Sequence, residues 1–338
     1  MTGTALNPRH GTHNPVQSTR ARAPGAIRRT SSIDMLRPDG ITRDLLLVGR
    51  GRDIATTAGG GARVLAESSA QLRVDYLDGR RISELRTDPR LEELSSLVGA
   101  KAASGFRARL AEVAPAEQRA RSLLHLLLDD VPGAALVSGY AVGAAGASPP
   151  PAKSGYTPVP DLCAGWRTGG TIMLEIGKSG RPPLVTGPPA PPLISDEDPL
   201  AWHPMPPLPP TGMRRQRCLD LVPGEAGAPV TVISLFRDSH CDAGGDQTVI
   251  HEYEVQAQVD PADWRVLEIV ATPRVLPWQE CPAAAGSASR LVGRTVHELR
   301  SEVRVEFTGT STCTHLNDQL RSLADLVALG DYLDVAPS

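Results

Sequence analysis

Two stretches of this chain carry the same residue types in the same order, one before residue 143 and one after residue 213. Paired arginines precede an aspartate in each stretch, as Arg28-Arg29 with Asp34 and as Arg214-Arg215 with Asp220. Further matches join Val74-Asp75 to Val259-Asp260, Glu84 to Glu268, Pro89 to Pro273, Leu97-Val98-Gly99 to Leu291-Val292-Gly293, and His125-Leu126 to His315-Leu316. Repeated order of this kind predicts an internal duplication, in which one structural unit occurs twice.

The two copies differ at residues that could carry chemistry. The second copy has His251 where the first has Ala66, and Cys313 where the first has Leu123. The first copy also has no counterpart of residues 275–284. Because a scaffold can keep its packing positions while it loses reactive groups, we predict one site per chain, in the second copy.

A proline-rich segment separates the copies. Residues 149–210 hold 17 of the 31 prolines, which exclude a regular helix or central strand because proline lacks the backbone donor. Within this segment, residues Asp161 to Trp166 predict an ordered loop that packs against the rest of the protein. The sequence therefore predicts a flexible arm over 1–27, a first, degenerate repeat over 28–143, a proline-rich crossing over 144–212, and a second repeat over 213–332 that carries the site.

Within each copy, segments rich in β-branched residues come first and helical patterns follow. The predicted strands are 29–35, 45–48, 63–76 and 81–86, and then 230–236, 248–259 and 265–271. Helices are predicted at 91–98, 104–113, 117–129 and 315–329, while 171–176 is strand-like. This order predicts an α+β fold of two tandem pseudo-symmetric units, each an antiparallel sheet followed by helices.

Composition narrows the class of protein. The formal charge of -3, without a long single-sign block, argues against a nucleic-acid partner. No run approaches the roughly 20 apolar residues of a membrane span, and no apolar segment follows the basic N-terminus, so neither membrane nor secretion is expected. Five cysteines make a disulfide framework improbable. We expect a cytoplasmic protein with a small-molecule ligand, and leave a homo-oligomer open.

The strongest chemical motif runs from Cys313 to Asp318. A cysteine just before a helix meets unpaired backbone donors, which favour a thiolate, and Asp318 lies one turn from His315 and can orient its imidazole. The alternative is a purely structural role, in which Thr314 caps the helix, Asp318 interacts favourably with its dipole, and Cys313 packs in the interior. Both interpretations stay open at this stage.

More distant residues can join this motif. Cys281, Cys313, His251 and His315 form a candidate metal set, for zinc or another divalent ion, because two thiols and two imidazoles match a catalytic zinc site. The competing use is a metal-free Cys/His/Asp site. No dinucleotide or phosphate-loop fingerprint is present. Candidate substrate-binding residues are Asp161, Cys163 and Trp166, as a lid, with His240, Tyr253 and Trp278.

Several of these motifs resemble the bacterial domain of unknown function 2889 family. Its pattern matches Arg214-Arg215, His251, Pro277-Trp278-Gln279-Glu280-Cys281-Pro282 and Cys313-Thr314-His315-Leu316-Asn317-Asp318 over about residues 213–330. The whole chain is similar to longer actinobacterial members that also carry the 161–166 motif. The resemblance supports the site residues and implies no particular reaction.

These observations lead to a functional hypothesis with one alternative. The leading interpretation is a small-molecule enzyme of hydrolase, lyase or isomerase type that acts on a carbonyl-bearing metabolite, with or without a metal. The alternative is a non-catalytic ligand-binding or scaffold protein in which the cysteines and histidines form a structural cluster.

Overall fold

All eight strands form one antiparallel sheet. The computed structural model describes residues 9–76, 79–147, 159–180, 182–225 and 227–333. The strands are β1 (Ile27–Leu36), β2 (Leu45–Thr56), β3 (Ala62–Asp75), β4 (Arg81–Asp88), β5 (Met213–Val222), β6 (Val230–Cys241), β7 (Gln247–Asp260) and β8 (Arg265–Val275). Their order is β4-β3-β2-β1-β5-β6-β7-β8. The predicted α+β class is confirmed, but β1 pairs with β5, so the halves share one sheet instead of building two.

Short helices follow each set of strands. They are α1 (Phe106–Val113), α2 (Pro115–Ala120), α3 (Leu123–Asp129), α4 (Val131–Val137), α5 (Gly139–Ala144), α6 (Thr171–Ser179), α7 (Leu299–Glu306), α8 (Thr314–Ser322) and α9 (Leu326–Gly330), with 3₁₀ helices at Glu92–Leu97, Ala164–Trp166, Cys281–Leu291 and Leu323–Asp325. None of the helices in the described ranges is long and apolar enough to cross a bilayer.

Three predictions of secondary structure need correction. The segment predicted as one helix over 117–129 is two, because the backbone of Arg121 turns left-handed between α2 and α3. Residues 171–176, which were predicted as strand-like, belong to α6. This helix ends at Gly180, whose φ is 72°, and Glu280 accepts a hydrogen bond from the amide of Thr171 in its first turn. The last predicted helix is interrupted by the 3₁₀ turn Leu323–Asp325.

The first three strands of each half match in length, and the halves share one irregularity, whereas β4 has 8 residues and β8 has 11. β1 and β5 each have 10 residues, β2 and β6 have 12, and β3 and β7 have 14. The β2–β3 register shifts after Asp53, and the β6–β7 register shifts after Asp238. β1 and β5 pair antiparallel about Ser31 and Arg217.

Arginine–aspartate pairs also occupy equivalent positions in the two halves. Arg29 donates to Asp53 at 2.8 and 2.7 Å, and Arg215 donates to Asp238 at 2.9 and 3.0 Å. Across β1 and β5, Arg28 pairs with Asp220 at 2.6 Å and Arg214 with Asp34 at 2.5 Å. These pairs are buried, so each guanidinium is neutralised inside the protein where an unpaired charge would be costly.

The helices cover one face of the sheet, while residues around Val16 in the N-terminal arm and around Leu193 and Trp202 in the proline-rich segment pack on the other. Arg237 and Glu252 form a buried ion pair on this second face. Arg237 donates to the carbonyls of Pro191 and Val16, while the Val16 amide donates to Glu252. Residues expected in a flexible arm and a crossing therefore satisfy polar groups of the central strands.

Gly187 shows how closely the proline-rich segment approaches the sheet. A Cβ at this position would lie 1.7 Å from the Val249 carbonyl oxygen of β7. We expect Gly187→Ala to push the segment off β7 and lower the free energy of unfolding by about 1–3 kcal/mol, the usual cost of overpacking. Urea unfolding of both proteins measures this. Gly177→Ala is the matched control because no atom lies within 4 Å of its Cβ position; equal losses in both variants would contradict the expectation.

Candidate functional site

Asp238, His251 and His315 converge on the helix-covered face of the second half. Asp238 and His251 are register partners on β6 and β7, at the bulge that follows Asp238. His315 lies in the first turn of α8, which begins at Thr314. One potential ligand atom from each residue lies within 4.8 Å of the other two. The bulge and the start of α8 thus bring together three residues that are far apart in sequence.

The two imidazoles stack. Their ring centroids are 3.6 Å apart and the ring planes are inclined by 20°. Asp238 Oδ2 lies 3.4 Å from His251 Nδ1 and 3.9 Å from His315 Nε2. The side chain of His315 is 23% exposed and that of His251 12%, whereas the Asp238 side chain is fully buried. Solvent or a small ligand therefore approaches from the imidazole side.

Arg215 fixes the carboxylate. Burial by itself would raise the pKa of Asp238, but Arg215 and the nearby His251 hold that pKa well below its ordinary value. The guanidinium is itself buried and binds both carboxylate oxygens. Asp238 is consequently ionised and held in one orientation beside the imidazoles.

The His315 imidazole is suited to act as a neutral base or ligand. Burial, and then the neighbouring His251 ring, lower the pKa of His315 well below its ordinary value. His251 Nδ1 is buried and has no well-formed hydrogen bond to any described residue, despite its distance of 3.4 Å from Asp238. An unpartnered buried nitrogen is costly unless a ligand, ion or water binds it.

Cys313 does not match the predicted thiolate. It lies directly before α8, with its Sγ 3.9 Å from His315 Nδ1. Burial raises the pKa of Cys313, and this effect outweighs the amides of Leu316 and His315, which favour the thiolate. The prediction was wrong because the helix terminus is not open to solvent.

Three thiols from three segments surround one tyrosine. The Tyr253 hydroxyl is buried beside the thiol of Cys313, and the thiols of Cys163 and Cys281 also lie close enough to interact with it electrostatically. Burial raises the pKa of Cys163 to about 11 and that of Cys281 well above its usual range. At neutral pH these groups are uncharged donors adjoining the imidazoles.

The predicted lid segment lies against this thiol cluster. The Ala164 amide donates to the Thr312 carbonyl at 2.9 Å, which places Cys163 beside Cys313. A Cβ on Gly165 would lie 2.8 Å from Cys281 Sγ and 3.9 Å from Trp278 Cδ1. Cys163 and Trp278 therefore lie at the thiol cluster.

Asp318 does not orient His315 as expected. Its carboxylate accepts from Arg107 at 2.8 Å and from Arg321 at 3.2 Å, and it lies 3.6 Å from Arg215. Burial raises the pKa of Asp318, but these arginines lower it further than burial raises it. Asp238, and not Asp318, is the carboxylate facing the imidazoles, because β6 presents it directly opposite His251.

Other predicted ligand-binding residues have structural partners. Asp161, at φ 62°, accepts from the Thr168 amide and hydroxyl at 2.8 and 2.9 Å. The Trp166 carbonyl accepts from the Asp161 amide, which closes the same turn. The His240 ring packs edge-to-face on Tyr140, with centroids 5.1 Å apart. These contacts support a role for Asp161 and Trp166 in shaping the lid, and for His240 in packing.

A cavity of about 270 Å³ lies beside the lid. Neither His251 nor His315 lines it. Its walls come from segments adjoining the three cysteines, namely Asp161, Ala164, Arg167, Thr168, Glu280, Ala283 and Thr310. We place the chemistry at the imidazoles in spite of this cavity, because potential ligands and unpartnered polar atoms gather there.

Sequence reasoning missed two contributors. Asp238 could have been found as a further match between the copies. Asp53 follows Arg28-Arg29 in the first copy as Asp238 follows Arg214-Arg215 in the second, and each aspartate directly precedes the bulge. His10 lies close enough to His251 to interact electrostatically with it. The arm holds it there by backbone hydrogen bonds from Gly11 to Leu276 and from Gln279 to Arg9, both at 3.1 Å. The sequence contains no signal for this docking.

Comparison with known proteins identifies one family. Residues 213–328 match the family model described as protein of unknown function (DUF2889). No curated protein and no solved structure matches the chain. The match covers the half that contains Asp238, His251 and His315.

Proposed function

Residues 213–328 belong to the DUF2889 family, whose description names no activity, and we therefore propose a function from the site itself. The protein is a small-molecule enzyme of hydrolase, lyase or isomerase type acting on a carbonyl-bearing metabolite. The observation that carries this proposal is the stacked pair of imidazoles, His251 and His315, beside the buried carboxylate of Asp238. Such a pair can accept a proton from a substrate or from water, and the carboxylate stabilises the imidazolium that forms.

Neighbouring residues supply the remaining requirements of this chemistry. The Tyr253 hydroxyl, without a well-formed hydrogen bond, can donate to a carbonyl oxygen as charge develops on it. Cys313 adjoins His315 at 3.9 Å and can transfer a proton or attack once the imidazole removes its proton. Arg215 keeps Asp238 ionised throughout.

We also propose that the two halves are diverged copies of one unit. Matching strand lengths, matching bulges and paired arginine–aspartate contacts support this. A Cβ on Gly51 would touch Leu123, just as Phe236 of β6 adjoins His315. These contacts support matching Leu123, not His125, with His315. The first copy then keeps Asp53 but has Ala66 and Leu123 where the second copy has imidazoles.

A binding or scaffold role is the second candidate. It is favoured by the burial of Cys281 and Cys313 within the main apolar core and of Cys163 beside Cys313, since none of the three is more than 8% exposed. In that case the thiols and Tyr253 would fill the core, and substitution of His315 would leave the composition of a metabolite mixture unchanged.

The test compares the chemical effects of two purified proteins on one mixture. Wild-type protein and His315→Ala are each incubated with a small-molecule extract of the cells that make the protein, and mass spectrometry follows depletion of every compound. We expect one carbonyl-bearing compound to disappear about 10²- to 10⁴-fold more slowly with His315→Ala, the usual contribution of an acid–base group. His13→Ala, in the exposed part of the arm, should behave as wild type. Binding without turnover in wild type would favour the second candidate.

A further inference from the structure

We propose that Asp238, His251 and His315 bind one divalent transition-metal ion, zinc or an ion of similar ligand preference. This inference rests on the proposed function in taking the same cluster as the centre of chemistry. It replaces the metal set expected from sequence, because the trio is the one group of three potential ligands found within 4.8 Å among the described residues, and it contains no cysteine.

The distances are close to those around a bound ion. Ligand atoms at about 2.0–2.1 Å from a tetrahedral ion lie about 3.3 Å from one another. Asp238 Oδ2 lies 3.4 Å from His251 Nδ1 and 3.9 Å from His315 Nε2. The Asp238 and His251 atoms are therefore already spaced almost as two ligands of one ion, whereas the His315 nitrogen must move closer to the carboxylate.

One side chain must reorient as the ion enters. Stacked rings inclined by only 20° direct their in-plane lone pairs side by side, and not toward one point. His315 is the more exposed ring and belongs to the first turn of a helix, whereas His251 is fixed in the central part of the sheet. We therefore expect His315 to rotate and the ring stack to open on metal binding.

Residues around the three potential ligands form the kind of outer hydrogen bonds that orient metal ligands in proteins. Arg215 donates to both oxygens of Asp238, which fixes a ligating carboxylate in the way that outer hydrogen bonds usually do. Asp318 and Asp130 lie 3.6 and 3.9 Å from the same guanidinium and offset its charge, so that it does not exclude a cation. The unpartnered His251 Nδ1 gains a ligand.

The donor types select the class of ion. Two imidazoles and one carboxylate suit Zn²⁺, Fe²⁺ or Co²⁺ better than Mg²⁺ or Ca²⁺, which prefer oxygen ligands. Three protein ligands leave a coordination position open, as in catalytic sites and unlike four-coordinate structural sites. That position would hold water or a substrate carbonyl oxygen.

The experiment measures binding of the metal alone to the full chain. Chelator-treated protein is titrated with Zn²⁺ by calorimetry and with Co²⁺ by visible absorption, for wild type, His251→Ala, His315→Ala, Asp238→Asn and Cys281→Ser. We expect one equivalent in wild type and in Cys281→Ser, with at least about 100-fold weaker binding in the other three. Circular dichroism and urea midpoints identify variants that fail to fold; Asp238→Asn keeps the side-chain size, and His315→Ala removes a partly exposed ring.

The outcomes separate the metal site from the proposed function. No stoichiometric binding by wild type, or loss of binding in Cys281→Ser with retention in folded His251→Ala, would overturn the metal site. If wild type binds no metal in the titrations but still consumes a metabolite that His315→Ala does not consume, the proposed function is supported and the metal site is overturned. If wild type binds one equivalent of metal but consumes no compound, the metal site is supported and the proposed enzymatic function is contradicted.

Discussion

Asp53→Ala should lower the free energy of unfolding by about 3–5 kcal/mol, the usual cost of leaving a buried guanidinium without its partner. Asp53 is fully buried and accepts two hydrogen bonds from Arg29, whose side chain is only 3% exposed. Arg29 keeps a second acid, Asp325, at 3.2 Å, so the lower end of the range is expected. Urea unfolding, followed by circular dichroism, measures the change.

The control is the double variant Arg29→Met/Asp53→Ala. Removing both charges eliminates the uncompensated guanidinium, and we expect at least half of the lost stability to return. Zn²⁺ affinity should be unchanged in both variants, because Asp53 lies in the first half, away from His251. A loss below about 1 kcal/mol in Asp53→Ala would show that the buried pair contributes little net stability.

Acidification should destabilise the protein strongly through two buried histidines. Burial, and then Arg52, Arg214 and Arg50, lower the pKa of His203 to about 3. Burial, and then Arg300, lower the pKa of His125 to about 4. The unfolded chain protonates these rings below pH 6.5 while the folded chain does not, so stability falls as the pH falls from about 6.5 toward 4. Each ring contributes about 1.4 kcal/mol per pH unit, or about 5 kcal/mol together at pH 4.5.

Urea midpoints between pH 7.5 and pH 4.5 test this dependence. His203→Gln and His125→Gln should each flatten the slope over that interval, even if each lowers stability at pH 7.5, because glutamine does not titrate. His13→Gln, in the exposed part of the arm, is the control and should leave the slope unchanged. Identical slopes in all four proteins would rule out these imidazoles as the acid-sensitive groups.

The strands could be predicted because their signals are local. Alternating β-branched residues located seven strands, although the prediction over 45–48 covered only the start of β2, and β5 was implied by the paired arginines Arg214-Arg215. The joining of both halves into one sheet could not be predicted, since it depends on β1 pairing with β5 over a separation of more than 180 residues. Nor could α6 be recognised, because its first turn is completed by Glu280 from a distant segment.

The candidate site was predicted in part for the same reason. His251, Cys313 and His315 belong to compact motifs, and the structure brings their side chains together. Asp238 follows an ordinary strand sequence and gains its importance only from register with His251. The protonation of Cys313 was predicted wrongly because sequence shows that a helix begins there but not how deeply its terminus is buried.

The pairing of β1 with β5 bears on proteins that would contain only the second half. Without β1, strand β5 would expose along one edge the backbone donors and acceptors that now pair with β1. In the full chain Ser31 and Arg217 face each other at the centre of this pairing. A single-unit chain could restore the missing neighbour by antiparallel association of two identical molecules about Arg217, so the fused halves would correspond to a symmetric homodimer joined into one polypeptide.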